Sequence, residues 1–401
     1  MNYAARPRPI VTWTGILAAL CVMSASGASG IDSPTNAFWK GAAGEVAEGF
    51  HYTCRVLNFG ETLDLRENGV NIGNALGMAD RRLETDLRLD VSEEIGGGCL
   101  SAKPRVDMRW CEREPGVALL GDIMEPDTFY VNEWLARWRM ADGFCISYGR
   151  ENLQWGPAML VSPSNPFGSE NGRNAPRMEV AGSDFGRAVL TLNSTWSVSL
   201  IANTDPGRRI VFGEFTDTYA VKVDACISGQ SMSIIASGHE RGGPSRVGGF
   251  WTWNATEDIV TYLEAGVQED DPEMLAGCSY SLAGGSIVAA EYMYNGGGDS
   301  DRDLLWLVPP QQYPEYRESL LRKNYLLFQY TNMTGPWDVE LTVRWILNLD
   351  ERTHRVVMTV ERGWGDAAKI FMSGIFNSGD EDAEFGGVIQ SSAIAGMEIV
   401  L

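Results

Sequence analysis

The residues best placed to do chemistry in this chain are charged side chains set two apart. Arg82, Glu84, Asp86 and Arg88 take every second position of one run, and Arg105, Asp107 and Arg109 take those of another. Such spacing puts each set on one face of an extended strand. Rows of acids and bases on the wall of a lumen act on ions as rings of charge. The same rows serve equally as a cross-strand ladder of ion pairs that stiffens a sheet. A second group, Arg150 and Glu151 before and Glu170 and Arg173 within, accompanies a segment rich in proline and glycine, with Pro163, Pro166, Gly168, Gly172 and Pro176. Folded into a lumen, that segment would form a constriction with a transverse field; left outside, it is an external loop with ordinary surface charge. The acidic runs Glu269-Asp270-Asp271 and Asp380-Glu381-Asp382 read first as solvated charge, and only second as attractors of cations.

Other chemistries find little support. The three histidines, His51, His239 and His354, include no pair at metal-ligand spacing. The seven cysteines form no C-x-x-C, which removes zinc, thioredoxin-type and c-type haem readings. No G-x-S-x-G elbow is present, and no histidine base is paired with a candidate nucleophile. The expectation is therefore a non-enzyme, with no catalytic, cofactor-binding or metal residues assigned. A net charge of −21 without a basic run argues against nucleic acid as a partner.

The N-terminus predicts export. Arg6 and Arg8 precede an apolar stretch over 10–23, and small residues follow over 24–30, the layout of a secretory signal. Ser26 and Ala28 suit the −3 and −1 positions of a cleavage site, so 1–28 is expected to be removed, with Cys21. Residues 29–49 read as a polar periplasmic lead-in. The six cysteines left, Cys54, Cys99, Cys111, Cys145, Cys226 and Cys278, are scattered, and their pairing stays open.

The elements that carry the charged rows are strands. After residue 30 no apolar run approaches the roughly 18 residues of a spanning helix. The apolar residues alternate instead. In 337–348, Trp337, Val339, Leu341, Val343, Trp345 and Leu347 share one face, and Asp338, Glu340, Thr342, Arg344 and Asn348 lie on the other. The pattern recurs at 83–91, 105–111, 130–140, 144–150, 187–193, 196–203, 219–228, 232–239, 247–253, 259–268, 280–283, 287–295, 325–331, 356–364, 370–376 and 393–401. Strands of about ten residues suit a tilted crossing of a bilayer. Tryptophans at strand ends on the apolar side, Trp134, Trp138, Trp251, Trp253, Trp337 and Trp364, suit interfacial girdles. Tight links at 254–258 and 333–336 contrast with long ones at 162–176, 296–323 and 377–387, and the chain ends inside a strand. Residues 50–401 are thus predicted to be an all-β, transmembrane, antiparallel up-and-down barrel of about 16 to 18 strands.

The most distinctive segment is Gly149-Arg150-Glu151-Asn152-Leu153-Gln154-Trp155-Gly156-Pro157, continuing through Leu160-Val161-Ser162-Pro163-Ser164-Asn165-Pro166-Phe167. It resembles the G-R-x-x-x-x-W-G signature, followed by a P-x-N-P-like loop, of bacterial outer-membrane porin-like barrels. It is similar also to capsule-assembly outer-membrane barrels, which act as surface lectins. The first resemblance implies a channel for passive diffusion of small polar solutes or ions, biased toward cations by the acidic balance. Its partners would be outer-membrane lipid and solutes, and a homo-oligomer fits it. The second implies a surface-binding barrel without an open pore. A secreted soluble β-protein is a further reading, prompted by sequons at Asn193, Asn254 and Asn332. Leu401 departs from the aromatic residue that usually ends such barrels.

Overall fold

The computed structural model describes residues 50–74, 78–112, 128–168, 179–209, 215–240, 245–269, 271–299, 320–332, 338–365 and 367–401. The signal and lead-in expected over 1–49, and the candidates Glu170 and Arg173, lie outside the described residues.

The strands begin with β1 (Phe50–Leu65), β2 (Arg81–Ile95), β3 (Gly98–Glu112), β4 (Thr128–Ala141), β5 (Phe144–Glu151) and β6 (Ser183–Thr191). Next come β7 (Trp196–Asp205), β8 (Thr218–Ile227), β9 (Gln230–His239), β10 (Arg246–Asn254), β11 (Ile259–Gln268) and β12 (Asp271–Ser281). The chain closes with β13 (Ser286–Asn295), β14 (Asn324–Asn332), β15 (Val339–Asn348), β16 (Thr353–Trp364), β17 (Ala368–Ser378) and β18 (Ile389–Val400). Each strand pairs antiparallel with its sequence neighbours, and β18 pairs with β1, so the 18-stranded sheet closes on itself. Closure leaves no unpaired edge, which is what a sheet in a bilayer requires.

The period-two pattern becomes an outer and an inner face. On β11, Leu263 and Val267 are exposed while Tyr262 and Glu264 are buried. Outside, the aromatic residues collect at both ends of the wall. Trp138, Trp196, Trp251, Trp253 and Trp364 mark the end with short turns, and Trp110, Tyr148, Tyr219 and Tyr292 the end with longer links. Trp251 and Trp253 stack at 6.0 Å with their planes 2° apart. An exposed apolar band between two aromatic girdles is the surface of a membrane-spanning barrel.

Turns at the first end follow local rules. Between β2 and β3 only Gly96 and Gly97 intervene, both at positive φ (52° and 87°), the geometry a two-residue hairpin loop demands. The links at the other end include 66–80, 152–182, 206–217 and 379–388, with tighter returns at 269–270 and 349–352. Of the acidic run at 269–271, Glu269 thus lies in the two-residue link and Asp271 is the first residue of β12.

Two strands depart from the sequence expectation. β1 carries Leu57 and Phe59 on its inner face and Asn58 and Gly60 on its outer face, the reverse of the general pattern. β12 extends over 271–281 where only its last residues were anticipated, because Met274, Leu275 and Ala276 make both faces apolar. A bulge at Asn132, where Lys103 and Pro104 of β3 face Glu133 and Val131 of β4, shifts the alternation of β4 by one residue.

Candidate functional site: the lumen wall and its inward loops

The charged rows on β2 and β3 come together on the inner face. Glu84 lies opposite Arg109, Asp86 opposite Asp107, and Arg88 opposite Arg105. Two of these three rungs set like beside like, which is unfavourable directly across a sheet. Attraction therefore runs along and around the rungs. Arg109 Nε donates to Glu84 (2.9 Å), Arg88 Nη2 to Asp86 (2.7 Å), and Arg82 Nη2 pairs with Glu61 of β1 (2.7 Å). Tyr130 Oη donates to Asp107 (3.0 Å). Arg105, only 1% exposed, donates to Asp90 (2.8 Å), to both oxygens of Glu179 (2.6 and 2.7 Å) and to two backbone carbonyls. Glu84, Asp86 and Arg88 are buried with it. The group is a closed network of pairs, not a row of independent wet charges.

Arg150 and Glu151 take opposite registers. Glu151 lies on the lumen face, paired with Arg187 of β6 (3.2 Å). Arg150 shares the outward register of Ile146 and Tyr148, and binds Asp184 through two hydrogen bonds (2.7 and 3.2 Å). Arg150, expected with Glu151, Glu170 and Arg173 to set a transverse field in the lumen, instead belongs by strand parity to a rim pair in the outward register.

The segment that follows them folds inward. Trp155 meets Phe167 edge to face at 5.8 Å, and Phe167 meets Phe185 at 5.0 Å. These rings pack with Ile201, Ala220 and Ile235 on the inner wall of β6–β9. Asn165 Nδ2 donates to Leu153 O (2.8 Å), and Phe167 N to Asn165 Oδ1 (3.1 Å), so the loop holds its own shape. Its middle then reaches the wall of β10–β13. Met159 N and Leu160 N donate to Glu291 (2.6 and 3.0 Å), which also accepts from Tyr262 Oη (2.7 Å). Ser164 donates to Glu264 through N and Oγ (3.1 and 2.7 Å), and Ser162 Oγ donates to the same oxygen. Arg246 Nη2 donates to Pro163 O and to Glu273 (both 2.5 Å).

Glycine makes room for this contact. Gly248 and Gly266 are cross-strand partners; a Cβ on Gly266 would collide with the Pro163 carbonyl, and one on Gly248 would crowd Ser164 Cα at 3.0 Å. Farther along, Glu179 returns to Arg105 on β3. Strands β3 and β13 are ten apart one way round the barrel and eight the other, so the loop is fastened to nearly opposite walls. A second inward loop, 379–388, puts Phe385 against Leu160, Val161, Tyr325 and Leu327. Fixed polar groups and two packed loops narrow the interior and leave an array of immobile charges on its wall.

The tethers Glu264, Glu291, Arg246 and Tyr325 were not anticipated from the sequence. Their signal is a lone polar group among apolar inward neighbours, as in Ala289-x-Glu291-x-Met293. The six cysteines of the described residues are free thiols.

These features define a closed, antiparallel, 18-stranded transmembrane β-barrel. The fold is shared with two solved structures from Pseudomonas aeruginosa, OccK5 (OpdH) and OccK11 (OpdR). OccK5 is 10% identical with a TM-score of 0.57, the match covering 88% of this chain and 99% of that one. OccK11 is 11% identical with a TM-score of 0.56, covering 88% and 96%. A mutant porin of Rh. blastica also aligns, at 12% identity and a TM-score of 0.46 over 88% of this chain and all of that one. No protein-family model matches the chain, and no curated protein matches it.

Proposed function

We propose that this barrel is an outer-membrane channel of a bacterium, through which small polar solutes or ions diffuse passively past an internal constriction. The observation that carries the reading is the inward course of residues 152–168, held by Glu264, Glu291 and Arg246, with Glu179 held by Arg105 on the other side. A loop fastened at both walls sets a fixed aperture, and fixed charges beside it act on solutes in a low-dielectric setting. Glu151 and the network of Arg82, Glu84, Asp86, Arg88, Arg105, Asp107 and Arg109 form part of the lining. Glu170 and Arg173, outside the described residues, remain lining candidates from the sequence.

Cation preference follows from the acidic balance, −21 over the chain, with exposed Glu269, Asp271, Asp380 and Glu381 at the end that carries the long links. After export through the 1–28 signal, that end would face the exterior, as long links do in such barrels. The test is single-channel conductance of the refolded mature chain in planar bilayers, with reversal potential under a KCl gradient. Stepwise current with a cation-selective potential is expected. An anion-selective potential removes the bias. A folded, heat-modifiable barrel that passes no current removes the channel and favours surface binding.

A further inference from the structure

The inward loops cover only part of the inner wall. Tyr262, Leu275, Met293, Tyr325 and Leu327, which face inward from β11 to β14, pack with Leu160, Val161 and Phe385 of those loops and are 5% exposed or less. Round the barrel from β18 to β4 the inner wall stays accessible, and it carries charge. Glu398 of β18, Arg55 of β1, Asp90 of β2, Lys103 of β3 and Glu133 of β4 keep 27% to 38% of their side-chain surface. All are in the inward register. Arg55 follows the parity of Leu57, Asp90 that of Asp86 and Arg88, Glu398 lies opposite Leu57, and Lys103 lies opposite Glu133. Ion pairs join them into a row whose sign alternates from strand to strand. Arg55 Nη1 lies 3.6 Å from Glu398, and its Nη2 donates to Asp90 (3.0 Å). Asp90 accepts also from the buried Arg105 (2.8 Å), and two residues along β3 from Arg105, Lys103 donates to Glu133 (2.8 Å).

We propose that this row is a track for small zwitterionic solutes, molecules with a positive and a negative group close together, and that it favours them over neutral molecules of the same size. The inference rests on the channel reading above and names the solutes that the channel would take. Each wall charge in the row already has a partner of opposite sign. A lone ion binds one of them only by displacing that partner, which is then left uncompensated. A zwitterion exchanges both at once: its cationic group takes the place of Arg55 on Asp90 or Glu398, its anionic group takes the place of that carboxylate on Arg55, and no charge is stranded. A neutral solute can replace neither partner. Part-exposed pairs are weak enough to open for such an exchange. Because the pairs recur from strand to strand, a solute released by one meets the next, and binding stays weak and multi-site, as passage through a channel requires.

The experiment is a vesicle-swelling assay on the refolded full chain, comparing glycine at neutral pH with its uncharged isomer glycolamide. Glycine is expected to enter roughly threefold faster, the scale of one part-exposed ion pair. Arg55→Gln and, separately, Glu133→Gln should bring the ratio of the two rates close to one, whereas Arg55→Lys, which keeps the charge, should retain most of it. The ratio is read within each variant, so a change of aperture, which alters both rates together, leaves it in place. Entry of glycine no faster than glycolamide in wild type, or a ratio that survives neutralisation in a folded variant, overturns the track while the channel reading stands. If neither solute enters, the channel reading falls and the track falls with it.

Discussion

At the scale of single residues, the interior is organised by carboxylates that hold loops in place. Glu291 is 1% exposed and accepts three hydrogen bonds, two from the loop backbone and one from Tyr262. Glu291→Ala strands all three donors in a buried site, at about 1–3 kcal/mol each if none finds water. The expected outcome is an earlier loss of heat-modifiable barrel on a temperature ramp, together with larger and noisier single-channel steps. Unchanged steps would show that the loop stays fixed without Glu291. These residues were hard to recognise because a carboxylate that latches a loop has the same alternation as one that faces water. The rows on β2 and β3 were legible as a set, since spacing alone put them on one face. Their partners in the wider network, Glu61 and Glu179, lie on distant segments that no local pattern links to them. Arg150 shows the opposite difficulty: one residue along a strand changes the side of the wall, and the charge type carries no sign of it.

At the scale of elements, the flat patch made by Gly248 and Gly266 decides where the constriction loop lies. A valine at Gly266 would place its side chain on the carbonyl of Pro163 and beside Arg246. The loop must then lift, since the strand is fixed by pairing on both sides. Gly266→Val is therefore expected to raise conductance and slacken ion preference while the barrel still folds, which conductance and gel mobility together would report. A variant with wild-type conductance would mean that the loop does not narrow the passage. Most strands could be recognised in advance because one apolar and one polar face recur with period two. β1 escaped for a physical reason. Over 57–60 its inner face packs Leu57 and Phe59 against Phe371 while its outer face carries Asn58 and Gly60, so the binary pattern is inverted there, although Phe50, Tyr52 and Val56 keep the outer face apolar toward the strand's start. The tryptophan-containing motif was recognisable as the start of a proline- and glycine-rich loop, but its inward course depends on wall residues about a hundred positions later in the chain.

At the scale of the whole molecule, alternation cannot say which face meets lipid, because a soluble sandwich has the same period. Here the exposed apolar stripes between two aromatic girdles settle the direction, and a pair of substitutions tests it. Leu263 is 52% exposed on the outer face at the middle of β11, whereas Thr342 is on the inner face of β15. An arginine facing lipid near the bilayer midplane costs about 2–4 kcal/mol, but one facing an aqueous lumen costs little. Leu263→Arg should therefore lower the urea midpoint for folding into vesicles, followed by gel mobility, while Thr342→Arg leaves that midpoint near wild type and shifts the reversal potential instead. The two readouts separate because the outer face is read by lipid and the inner face by ions. Equal midpoints for the two variants would mean that the Leu263 stripe does not face the bilayer. Were Thr342→Arg alone to destabilise folding, the β15 wall would be packed against protein, and the passage would have to lie along another part of the barrel.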